Sequence, residues 1–295
     1  MYHFNNQLSK IGLGCVTFGR EITEKASFDL MDYAFANGIN FFDTAAAYSH
    51  GASESIVGSW IASRKPASTS IIVATKILPP FDPKSIFESV AKSMRRLGTK
   101  TIDLLYLHCW DPAIEASAAL NALDNLVKEG KVRMIGASNF TAEQLSNVLN
   151  RQSGQEITSF SVVQNNHNLA VRNINENLRL VCKENEIDIV SYSPLGAGFL
   201  TGKHTCAVQA GSRFDLVPEH KDIYFNESAY RRLSLLREIA DREGFSPAHL
   251  ALAWALHQRD VASVLVGGRN IMHLDQAFAA MNFNEPEIFA EIEST

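Results

Sequence analysis

A chain of 295 residues is long enough for two ordinary domains or one large one, and its 46% hydrophobic and 20% charged content excludes disorder, collagen and coiled coil as whole-chain readings. The net charge of −5, from 27 basic against 32 acidic side chains, argues against a nucleic-acid partner, which a basic face normally binds. Apolar runs such as 71–75 and 102–107 have strand length, far below the ~18 residues of a membrane span, so no membrane partner is expected.

The elements read as follows in chain order. A strand at 11–14 leads to a helix over 26–37, closed by Gly38, a residue type suited to the left-handed turn after a helix. A strand at 40–43, a helix over 53–63 and a strand at 71–76 follow. The helix at 83–97 has Asp82 as its cap and Pro83 in its first position. Next come a strand at 101–108, a helix over 114–128, a strand at 132–137 and a helix over 141–149 capped by Thr141. The series continues with strand 160–164, helix 174–185, strand 187–192, helices 228–243 and 247–257, strand 261–266 and helix 271–281. No Pro/Gly/Ser linker interrupts it, so residues 1–295 are read as one domain.

A strand–helix unit recurs eight times, about every 35 residues, which points to parallel strands with crossover helices and fits a (β/α)8 TIM barrel. The rival is a doubly wound open sheet, which normally shows a glycine fingerprint at its first turn. Gly12, Gly14 and Gly19 lack that spacing, as do Gly196, Gly198 and Gly202, and Gly202–Lys203–His204 lacks the Ser/Thr of a phosphate-binding loop. Residues 1–10 lack the apolar stretch of a secretory signal. The four cysteines, Cys15, Cys109, Cys182 and Cys206, form no CxxC pair, so free thiols in a reducing cytoplasm and no metal site are expected.

In a barrel the chemistry sits at the C-terminal strand ends. Those ends carry Asp43 (with Tyr48 five residues on), Lys76, His108, Ser138–Asn139, Gln164 and Tyr192–Ser193. Taken singly, each has an ordinary reading: a turn or cap aspartate, a solvated lysine, a core histidine. Together, Asp43, Tyr48, Lys76 and His108 would converge on one pocket. Asp43 would compensate a buried Lys76, and Lys76 would lower the pKa of the Tyr48 hydroxyl, making it a proton donor or acceptor near neutral pH.

Residues 38–48, GINFFDTAAAY, resemble the signature of the aldo-keto reductase family. Four further blocks follow in family order: LLYLHCWDP (104–112), GKVRMIGASNF (130–140), SVVQNNHNL (161–169) and SYSPLGAGFLTGK (191–203). The resemblance implies a barrel with a short N-terminal β-hairpin and extra helices in the C-terminal part. It implies carbonyl reduction, with Asp43, Tyr48, Lys76 and His108 as the catalytic four and Tyr48 as proton donor to an aldehyde or ketone. The implied cofactor is NADPH/NADP+ in preference to NADH. Ser138, Asn139 and Gln164 resemble its carboxamide contacts, Tyr192 the ring stacked on nicotinamide, and Ser193, Leu195 and Gly196 the pyrophosphate loop. Asp43, Lys203, Gly267, Arg269 and Gln276 complete the expected cofactor contacts, Arg269 as the cation for a 2′-phosphate.

The chain departs from the family pattern in several places. Val266 replaces a proline, Gln276–Ala277 replaces an E-N pair, and Cys15, Val16 and Cys109 stand where many relatives have other residues. Val16, Ile77, Leu78, Cys109 and Trp110 are the expected pocket walls, and 198–226 is expected to be a solvated, mobile loop. Two alternatives stay open. One is a sugar or polyol dehydrogenase working oxidatively. The other is a regulatory cofactor binder like the potassium-channel β-subunits, which carry an N-terminal extension where only about ten residues are expected before the first strand here.

Overall fold

The computed structural model describes residues 8–65, 70–204 and 208–294. The first half runs β1 (Ile11–Gly14), α1 (Glu24–Ala36), β2 (Phe41–Asp43), α2 (Ala52–Arg64), β3 (Ile72–Ile77), α3 (Pro83–Leu97), β4 (Ile102–Leu107), α4 (Ser117–Lys128), β5 (Val132–Ser138) and α5 (Ala142–Gly154). The second half runs β6 (Val162–Asn166), α6 (Glu176–Glu184), β7 (Asp188–Tyr192), α7 (Arg213–Leu216), α8 (His220–Tyr224), α9 (Glu227–Glu243), α10 (Pro247–Leu256), β8 (Val261–Gly267), α11 (Ile271–Met281) and α12 (Pro286–Glu293). The strands are parallel, and β8 returns to pair with β1, Ile11 opposite Val264 and Gly14 opposite Gly267, which closes a (β/α)8 barrel.

Helix boundaries follow local chemistry. The Asp82 carboxylate accepts from the Ser85 amide with Pro83 in the first turn. Thr141 and Gln144 form a reciprocal capping box at α5. The expected helix over 114–128 is instead two pieces. Asp111 caps a short turn at Pro112–Glu115, Ala116 is extended, and α4 restarts at Ser117. The expected N-terminal hairpin involves residues 1–7 and Cys206 lies in 205–207, both outside the described residues. Among the described residues, no helix is long and apolar enough to cross a membrane.

Side-chain alternation along the strands makes two cores. Phe41, Ala74, Leu104, Tyr106, Met134, Val162, Val190 and Leu265 fill the barrel interior. Their neighbours Phe42, Val73, Leu105, Ile135, Val163, Ile189 and Val264 point outward to the helices. Gly136 faces inward, where a Cβ would lie 2.9 Å from the Tyr106 ring, so the glycine makes room for that ring in the middle of the barrel.

The segment 198–226 is not a solvated loop. Its described residues include the short helices α7 and α8 and bury Phe199, Leu200, His204, Phe214 and Tyr224. The Phe214 ring packs against Tyr224 and Phe225 at 5.9 and 4.9 Å between centroids. Its charged residues mislead because they alternate with these aromatic anchors.

Candidate active site

Two residues beyond an interior position, a strand points inward again. This rule carries Phe41 to Asp43, Ala74 to Lys76, Tyr106 to His108, Val162 to Gln164 and Val190 to Tyr192. Met134 leads through Gly136 to Ser138 in the same way. The polar residues therefore cap the apolar filling at one end of the barrel. The same rule corrects one expected pocket wall. Ile77 follows inward Lys76, so it faces outward and is buried in the barrel–helix core. Val16, Leu78, Cys109 and Trp110 lie in the loops after β1, β3 and β4, at the polar end. Leu78 is exposed, and Trp110 packs edge-on to Phe140 with centroids 5.5 Å apart.

Lys76 is fully buried. Its ammonium donates to the Asp43 carboxylate, to the Thr44 carbonyl at 2.9 Å and to the Tyr48 hydroxyl at 3.3 Å. The other Asp43 oxygen accepts from the Gln164 amide at 2.8 Å. Burial disfavours charge on Lys76, but the Asp43 carboxylate and then Tyr48 together outweigh it, so the lysine is held protonated. Tyr48 departs from expectation. Burial pushes its pKa above the ordinary phenol value, against the pull of Lys76. Asp43 already balances the ammonium, so the hydroxyl feels a pair rather than a bare cation.

His108 lies edge-on to Tyr48, ring centroids 5.8 Å apart. Burial, then the charge on Lys76, pushes its pKa down to about 3, so the imidazole is neutral over the physiological range.

Around this cluster, Asn139 donates to the His108 carbonyl at 2.9 Å and to Ser138 Oγ at 3.1 Å, and accepts from the Tyr192 hydroxyl at 2.7 Å. Ser193 and Asn139 both have positive φ, 58° and 62°. The Ser193 carbonyl is held by Asn168 Nδ2 at 2.9 Å, and Asn168 in turn bonds Asn166, which donates to the Tyr224 hydroxyl at 3.0 Å. Sequence reading missed Asn166, Asn168 and Tyr224. The polar run 164–168 in a strand flanked by apolar residues was the available signal.

Leu195 is half-buried, and Gly196 sits over the Tyr224 ring at φ 57°. Further out, Arg269 donates to the Gly211 carbonyl at 3.0 Å. The His273 Nδ1 accepts from the Arg269 amide at 3.1 Å, and burial, then the charges of Arg269 and Lys203, hold His273 below the usual imidazole range, while Arg269 also acts on the Glu21 carboxylate. Gln276 is exposed on α11, and Asn270 forms no side-chain cap with that helix.

This donor set fits a nicotinamide dinucleotide. Ser138 and the Gln164 amide suit a carboxamide, Tyr192 offers a ring, and the cations beyond suit phosphates.

A model described as the aldo/keto reductase family matches residues 10–294. The chain is similar to "Protein tas" of Escherichia coli (strain K12), 30% identical across 99% of this chain and 95% of the relative. It is 28% identical to "Norsolorinic acid reductase B" of Dothistroma septosporum, over 97% of this chain and 77% of that protein. It is 27% identical to "Uncharacterized oxidoreductase YrpG" of Bacillus subtilis, over 94% of this chain and 89% of that protein.

Proposed function

Because the chain belongs to the aldo/keto reductase family, a family of oxidoreductases that generally use NAD(P)H, we propose that it reduces an aldehyde or ketone with NADPH and that Tyr48 is the proton donor. The observation that carries this is the Tyr48 hydroxyl 3.3 Å from the buried, Asp43-paired ammonium of Lys76.

When bound, the reduced nicotinamide supplies a hydride to the carbonyl carbon. The Tyr48 proton passes to the developing alkoxide. A pKa raised by burial keeps Tyr48 in the protonated, donor form before reaction. The phenolate left behind is stabilised by Lys76, whose charge Asp43 preserves through the cycle, and it recovers its proton from solvent. Neutral His108 offers a ring N–H to the carbonyl oxygen, which orients it without adding a full charge. Ser138, Asn139 and Gln164 hold the carboxamide end, Tyr192 the ring, Ser193, Leu195, Gly196 and Gly267 the pyrophosphate, and Lys203, Arg269 and Gln276 the adenosine end.

The proposed partner is one small carbonyl compound, with neither nucleic acid nor membrane. The free thiols of Cys15, Cys109 and Cys182 suit a reducing compartment such as the cytoplasm.

The test follows nicotinamide absorbance near neutral pH with a small aromatic aldehyde and NADPH, then with the matching alcohol and NADP+. The expected result is NADPH consumption faster than the reverse reaction and faster than with NADH. Turnover of the alcohol alone would favour the oxidative reading, and tight cofactor binding without turnover the regulatory one.

A further inference from the structure

Tyr48 occupies an awkward piece of backbone. It opens a short turn, Tyr48–Gly51, in which Ser49, His50 and Gly51 follow one another in the left-handed region with φ of 49°, 54° and 91°. Three successive left-handed residues persist only where the surroundings fix them. Ser49 Oγ donates to the Phe18 carbonyl at 2.8 Å from one side. On the other side lies Arg96 of α3. A Cβ on Gly51 would be 2.6 Å from Arg96 Nε and 2.7 Å from Cδ, so the arginine stem rests directly on the glycine backbone.

Arg96 is itself clamped. Its Nε donates to Glu54 Oε2 at 2.5 Å, and Glu54, in the first turn of α2, is completely buried. The second oxygen of that carboxylate, Oε1, accepts from Thr75 Oγ1 at 2.5 Å. Thr75 is the outward-facing neighbour of Lys76 on β3. One buried carboxylate therefore ties the turn that carries the proton donor to the strand that carries its ammonium partner.

Building on the reading of Tyr48 as donor, we infer that the Arg96–Glu54–Thr75 relay is a positioning device that sets the Tyr48 hydroxyl against Lys76. None of the three touches the reacting atoms. Their effect is on alignment, where small displacements are costly to proton transfer.

Glu54→Ala removes the buried carboxylate that both Arg96 and Thr75 bond and risks the fold, so the test uses gentler changes. Thr75→Val removes one hydroxyl at constant shape, and Arg96→Lys keeps the charge but loses the clamp. Single-turnover rates of NADPH oxidation with an aromatic aldehyde, KM, the NADPH Kd by fluorescence and the pH profile of the single-turnover rate are measured on the folded variants. Each variant should lose about tenfold or more in the single-turnover rate, with KM and Kd within about twofold of wild type. The pH profile should shift, and Thr75→Ser should restore both rate and profile. In a Tyr48→Phe background the same changes should cost nothing further, because the route through Tyr48 is already gone.

Wild-type rate and profile in Thr75→Val and Arg96→Lys overturn the relay. So does an undiminished further loss in the Tyr48→Phe background, or no recovery in Thr75→Ser. Wild-type turnover by Tyr48→Phe alone instead overturns the donor assignment.

Discussion

The charge at the centre of the site belongs to a residue that burial opposes. Lys76 is fully buried and keeps its proton because Asp43 lies against it, while the Thr44 carbonyl and Tyr48 hydroxyl take its other hydrogens. Removing either member leaves the other uncompensated, typically about 3–5 kcal/mol of stability for a buried pair. Lys76→Met therefore removes the stabiliser of the phenolate and strands Asp43. Activity should be abolished and Tm lowered. Asp43→Asn keeps the Gln164 contact within reach, and the Asp43 carboxylate bonds Lys76 rather than Tyr48, so its rate loss should be smaller than that of Lys76→Met. Parallel measurements of kcat and Tm on the two variants check this. An Asp43→Asn enzyme with a wild-type rate but a collapsed Tm would make the aspartate purely structural.

At the scale of the element, the strand ends were readable because one rule governs them. Period-two alternation makes Asp43, Lys76, His108, Gln164 and Tyr192 inward as soon as the interior residues two places before them are inward. The same rule, applied to Ile77, would have removed it from the pocket walls. The helices over 83–97 and 271–281 matched their expected limits, the first because cap and period agree there and the second without a side-chain cap. Less legible were features made by residues far apart in the chain. The packing of 198–226 depends on Phe214, Tyr224 and Asn166 meeting in space, and the Glu54–Arg96 contact joins α2 to α3. The pKa of Tyr48 is likewise a balance, burial pushing it up, Lys76 of one strand pulling it down and Asp43 of another pushing it up again.

The loop after β8 carries its own prediction. Arg269 lies there with Lys203 and His273 close by. A 2′-phosphate there would gain charge-assisted bonds, each worth roughly 1.5–3 kcal/mol. Arg269→Ala should raise the Kd for NADPH by about one to two decades and leave NADH nearly unchanged. Equal weakening of both cofactors, as read by fluorescence titration, would assign Arg269 to its bond with the Gly211 carbonyl instead.

For the whole molecule, the half-buried His108 and the buried His167 link folding to pH. Burial pushes His108 down to about 3 and His167 to about 4, against about 6.5 in an unfolded chain. Between those values the unfolded state binds more protons than the native state. Stability from these groups is therefore complete above about pH 6.5 and is lost as the pH falls through that window, by at most about 1.4 kcal/mol per pH unit for each histidine. Urea midpoints should be lower at about pH 5 than at about pH 7, and the difference should shrink in His108→Gln combined with His167→Gln. A difference that persists unchanged in the double variant would place the acid sensitivity elsewhere.

In the proposed reaction this barrel uses the Tyr48 hydroxyl, aligned on a buried lysine–aspartate pair, to protonate a carbonyl during reduction. The most direct test compares wild type with Tyr48→Phe, a change of one oxygen atom, in single turnovers of NADPH with an aromatic aldehyde. The expected rate is lower by about 10²–10⁴-fold, the usual contribution of a general acid, with NADPH affinity close to wild type. A Tyr48→Phe protein that consumes NADPH at the wild-type rate would contradict it.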